Sequence, residues 1–64
     1  MTNSQFIANL KKIADASHRD QALATNPNMR YYAEVVERRA LKAIEQVLSG
    51  VSINRAFGFF QSGK

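Results

Sequence analysis

The sequence predicts an all-α protein: a small three-helix domain with a long central amphipathic helix and a short C-terminal helix. Three observations predict it. "TNPN" at residues 25–28 breaks the chain and supplies helix-start residues. From Met29 to Val47, apolar residues recur at alternating spacings of four and three, with no charge in the stripe they form. Gly50 and Ser52 then stand where one helix reverses and the next is capped.

The first helix opens on Thr2 and Gln5, the spacing of a capping box, with Met1 and Phe6 at the positions of a hydrophobic staple. Phe6, Leu10, Ile13 and Ala14 continue one face, which Ile7 widens. The apolar period fades over "SHRDQ". The expected helix therefore runs from about residue 3 to 17. Residues 18–24 either extend it or form a short second piece entered at Ser17.

Pro27 suits the first turn of the central helix, and Asn26 or Asn28 can cap it. The expected span is about 28–49, with Met29, Ala33, Val36, Ala40, Ala43 and Val47 on one stripe and Tyr32 and Ile44 beside them. At ~1.5 Å per residue that span is roughly 32 Å long, more than short flanking helices cover. Small residues at Ala33, Ala40 and Ala43 permit close approach, and Met29, Val36 and Val47 supply bulk. The stripe is therefore expected to serve as the seam of a homo-oligomer, most simply a dimer. The competing expectation is a monomeric bundle that uses the stripe internally.

Ser52 caps a third helix expected over about 53–61. Ile53, Ala56, Phe57 and Phe60 follow at i, i+3, i+4 and i+7, so Phe57 and Phe60 are expected to fold back onto the central helix. Phe59 is expected to point the other way. That leaves it exposed and available to a partner.

Composition bounds the function. With 64 residues the chain has room for one domain, residues 1–64, and 45% apolar against 22% charged residues is a globular balance. A core this small supplies only about 3–5 kcal/mol. The absence of cysteine removes disulfides and thiolate metal sites as support. Self-association or a partner protein is the remaining source of buried area. The net charge of +4 is spread out: Arg30, Arg38, Arg39 and Lys42 are interleaved with Glu34, Glu37 and Glu45. "MTNSQF" lacks the basic and apolar regions of a signal peptide, and no apolar run approaches the ~20 residues of a membrane span. A cytoplasmic protein is expected.

Enzymatic activity is not expected. His18 is the one histidine and sits in a polar stretch, no phosphate-binding glycine loop occurs, and the carboxylates have helical Arg or Lys neighbours, as Glu34 has Arg38. No cofactor or metal is expected. Tyr31 and Val35 lie one turn apart on the side of the central helix opposite the stripe, with Arg38 and Lys42 alongside. Aromatic, aliphatic and basic groups in one patch suit an interface centre. Tyr31, Val35, Arg38, Lys42 and Phe59 are thus the expected partner-binding residues. The expected function is a small non-enzymatic helical interaction module, a regulator, inhibitor or adaptor of the kind phages and plasmids carry, acting on a transcription factor or another protein.

The alternative is a DNA-binding regulator. "ALKAIEQVLSGVSINRAFGFF" places "GVS" between two helices and is similar to the first half of homeodomain-like transposase and pipsqueak-type domains. That resemblance covers about a third of the chain and implies a DNA-reading protein. In the usual register the residue four before the turn glycine is small, and here it is Gln46; the chain also ends where the reading helix would begin. If the third helix itself read bases, Asn54, Arg55 and Gln61 would address them. A membrane-surface role for Arg55, Phe57, Phe59, Phe60 and Lys64 ranks lower, because the helix is short and interrupted by Gly58.

Overall fold

In a computed structural model, residues 1–63 are described; Lys64, placed above in the membrane-surface option, lies outside the described residues. The fold is all-α, as the sequence predicts. Helix α1 spans Asn3–Leu23, α2 spans Pro27–Leu48 and α3 spans Ile53–Ser62. The central helix is long, but the first nearly equals it.

The capping box forms as the spacing requires. The Gln5 backbone N–H donates to Thr2 Oγ1 at 3.2 Å and the Thr2 N–H donates to Gln5 Oε1 at 3.0 Å. Past Ser17 the helix continues without a break. Ser17 itself takes the buried position that follows Phe6, Leu10 and Ala14 on the inner face. His18 Nδ1 lies 3.0 Å from Glu37 Oε2, and Gln21 Nε2 donates to Glu37 Oε1 at 2.7 Å. Polar pairing with α2 thus replaces the apolar period that fades in the sequence, which answers the question left open over residues 18–24. It also places His18 in a bridge between helices.

Asn26 caps α2, its Oδ1 accepting the Asn28 N–H at 2.8 Å, and Pro27 occupies the first turn, where a missing N–H costs nothing. At the other end the Val51 N–H donates to the Gln46 carbonyl at 2.9 Å and the Gly50 N–H to that of Val47 at 3.1 Å. This Schellman closure needs a left-handed residue, and Gly50 supplies φ = 100°. Ser52 then accepts the Arg55 N–H at 3.4 Å and starts α3.

Helices α1 and α2 form an antiparallel hairpin, and α3 folds back across the end where α1 begins and α2 finishes. The core is Phe6, Leu10, Ala14, Ala40, Ala43, Val47 and Ala56, with Ile7, Ile44, Ile53, Phe59 and Phe60 partly buried against it. Ala40, Ala43 and Ala56 are 0% exposed, so small side chains stand at the middle of the packing and let the helices approach closely. Among the described residues no large side chain is completely buried. The core is shallow.

Two expectations about packing are corrected. Ala40, Ala43 and Val47 are spent inside the chain, so the lower half of the expected oligomer seam is not available to a second copy. Helix α3, ten residues long, is about 15 Å at ~1.5 Å per residue and covers less than half of α2. Met29, Ala33 and Val36 lie on the stretch it leaves uncovered, and with Leu23, Ala24 and Tyr32 they line an open groove at the loop end of the hairpin. The phenylalanines are the second correction. Phe57 is 45% exposed and stacks on Phe60 with ring centroids 6.3 Å apart, whereas Phe59 is half-buried against the core. The buried centre of α3 is Ala56. At about 100° per residue Phe60 lies about 40° to one side of it and Phe59 about 60° to the other, while Phe57 stands about 100° away.

Candidate functional site

Charged and apolar residues of α2 come together beside α3. Val35, Arg38, Arg39, Leu41, Lys42 and Glu45 of α2, with Phe59 and Gly63 at the end of α3, line a groove of about 520 Å³. That is the volume of an ordinary ligand pocket, and here it takes the form of an open groove on a helix surface.

The sequence places these groups by simple rules. Positions 35, 38, 42 and 45 are spaced three and four apart, so they share one outer face of α2. Phe59 reaches this face because α3 packs with Ala56 inward, which turns one flank, carrying Phe59, toward α2 and the other, carrying Phe57, toward α1. On the α1 side Phe57 and Phe60 line a separate cleft with Met1, Phe6, Leu10, Ile13, Ile53 and Asn54. Leu41 is 51% exposed at the edge of the α2 groove.

Electrostatics at the groove are loosely tied down. Arg38 Nη2 lies 2.6 Å from Glu34 Oε1, an i,i+4 pair exposed to solvent. Lys42 Nζ is 3.9 Å from Glu45 Oε1, also exposed. Arg39 Nη1 donates to the Gln61 carbonyl at 3.4 Å, and its guanidinium lies so close to Gly63 that a Cβ there would meet it at 2.7 Å. Glycine at position 63, with φ = 76°, therefore serves both the left-handed helix end and the passage of Arg39.

Of the five expected partner-binding residues, Val35, Arg38, Lys42 and Phe59 line this one groove. Tyr31 is exposed one turn beyond Val35 and is not part of the lining. Phe59 contributes as a half-buried wall, not as the free side chain the sequence suggests. Arg39, Leu41, Glu45 and Gly63 line it as well and are not among the expected residues. The charge interleaving in "ERRALKAIE" contains the signal for Arg39 and Glu45, whereas the reach of Gly63 depends on where α3 ends.

The residues of the DNA-reading alternative do not converge in the same way. Asn54 lines the cleft against α1, whereas Arg55 lines a small depression with Gln46, Val51 and Phe59 on the α2 side. Gln61 is exposed near the end of α3, where its backbone carbonyl accepts from Arg39. Among the described residues no three His, Cys, Asp or Glu side chains gather to hold a metal ion. No described helix is long and apolar enough to cross a membrane. Comparison of the chain with protein-family models, curated proteins and solved structures finds no match.

Proposed function

We propose that this protein is a small non-enzymatic helical interaction module, a regulator, inhibitor or adaptor that docks another protein in the α2–α3 groove. One observation carries the reading: the apolar side chains Val35, Leu41 and Phe59 line a single groove with Arg38, Arg39 and Lys42. Interfaces favour this combination, with desolvated apolar anchors at the centre and charge at the rim. Nucleic acid alone would use the cations and leave these apolar side chains without a counterpart. The shallow core adds a second reason, since partner binding stabilises a marginal domain by mass action.

Self-association belongs to the same reading, moved to the part of the seam that α3 leaves open. Leu23, Met29 and Tyr32 are 73%, 62% and 73% exposed around Ala33 and Val36. This surface continues the buried stripe of α2, and a two-fold pairing would cover it on both copies at once.

The test is recovery of tagged protein from lysate with and without nuclease, beside an Arg38→Gln/Lys42→Gln variant. The expected result is a protein partner retained after nuclease and lost from the variant, with the helical circular dichroism of the variant unchanged. Loss of every partner on nuclease treatment would replace this reading with the DNA-binding one.

A further inference from the structure

We propose that the occupant of the α2–α3 groove is an acidic amphipathic helix of the partner protein. The inference rests on the docking reading above and adds the chemistry of what is docked.

Charge complementarity sets the sign. The groove is lined by three cations, Arg38, Arg39 and Lys42, and one carboxylate, Glu45. The groups these cations meet within the chain are weak or exchangeable. Arg38 and Lys42 meet exposed glutamates, and Arg39 reaches a backbone carbonyl at 3.4 Å. Exposed pairs of this kind are worth little, so a partner's carboxylates can replace them at small cost. A second copy of this groove suits the site poorly, because three cations against one carboxylate would face the same excess of cations.

Shape sets the secondary structure. Among the described residues there is no strand, so no sheet edge is available for an extended peptide to join. The lining residues of α2 run from position 35 to 45, about 15 Å at ~1.5 Å per residue, close to three turns of a facing helix. Val35, Leu41 and Phe59 then meet apolar side chains spaced i, i+3 or i+4, and i+7, while carboxylates on the flanks of the incoming helix reach the cations. A nucleic acid is the poorer fit. Its phosphates would engage the cations, but it has nothing to cover Val35, Leu41 and Phe59.

The experiment is a titration of isotope-labelled protein with synthetic peptides of about 15 residues, followed by backbone amide shifts. The first peptide carries Leu and Phe at i, i+3, i+4 and i+7 with Glu on its flanks; the second replaces each Glu by Gln, and the third by Lys. Random duplex DNA is the fourth probe, at physiological ionic strength. The expected result is a shift pattern centred on Val35, Leu41, Lys42 and Phe59 for the Glu peptide, with affinity about tenfold lower for the Gln peptide and for the Arg38→Gln/Lys42→Gln variant. Equal binding of Glu and Gln peptides in the groove overturns the acidic preference and leaves protein docking standing. Stronger binding of the Lys peptide does the same. If no peptide shifts the groove residues while duplex DNA does, both the acidic helix and the docking reading fall. Shifts centred instead on Leu23, Met29 and Tyr32, or no shift with any probe at millimolar peptide, also overturn the proposal.

Discussion

Phe6→Ala is expected to unfold the protein at room temperature. Phe6 is the largest side chain in the buried core, where it packs with Leu10, Ala14, Ala40, Ala43, Val47 and Ala56. Removing a buried phenylalanine costs about 3–5 kcal/mol, because the transfer energy is lost and the cavity collapses only in part. A domain of this size has about 3–5 kcal/mol of core stabilisation in total. One substitution therefore consumes the margin. The other phenylalanines rank by burial: Phe59→Ala and Phe60→Ala should cost about 1–3 kcal/mol, and the exposed Phe57→Ala less than about 1 kcal/mol. Urea titrations at one protein concentration, followed by circular dichroism at 222 nm, give the order. A Phe6→Ala protein that keeps most of its stability, or a Phe57→Ala protein that loses most of it, would show that the core lies elsewhere.

Self-association should disappear in Leu23→Glu and Met29→Glu while the helices remain. Both side chains lie at the loop end of the α1–α2 hairpin and are mostly exposed, so a charge there costs the isolated chain little. In a two-fold pairing the same charge is desolvated opposite its own copy, and an unpaired buried carboxylate is expensive. The expected result in sedimentation at high micromolar concentration is a dimer for the unmodified chain and a monomer for each variant. Val36→Glu is the less informative change, because Val36 is already half-buried within the chain and its replacement also strains the monomer. An unmodified chain that sediments as a monomer would remove self-association from the proposed function.

Helix ends were the most legible part of this sequence, because each is written in local chemistry. Thr2 with Gln5, Asn26 with Pro27, Gly50 and Ser52 act within a few residues of themselves, and every one forms the cap its spacing implies. The extension of α1 to Leu23 was less legible. It depends on Glu37, distant in sequence, accepting from Gln21 and facing His18. The phenylalanines show a different difficulty. The most apolar face of "INRAFGFF" takes in Ile53, Ala56, Phe57 and Phe60, but the fully buried residue of α3 is Ala56, at one edge of that face, and Phe57 at the other edge stays exposed. Interhelical distance is set by the small residues, so their positions predict the buried face better than those of the largest rings. The same reasoning applies to the stripe of α2. Periodicity identifies the face at Met29, Ala33, Val36, Ala40, Ala43 and Val47, but it does not say that a short α3 would cover only its second half. The candidate groove was legible in its α2 residues, which share one helix face, and illegible where it depends on the end of α3.

The most direct measurement of the docking reading is site-specific photo-crosslinking in living cells, with the photoreactive side chain placed at Leu41. Leu41 lines the groove and is half exposed, so the probe can reach an occupant without disturbing the core. Asn9, exposed on α1 and absent from the groove lining, is the control position. The expected result is a discrete protein adduct from position 41 that resists nuclease, is missing from position 9 and is lost when Arg38→Gln and Lys42→Gln are added. Adducts of equal yield and identity from both positions, or an adduct from position 41 that consists only of nucleic acid, would contradict it.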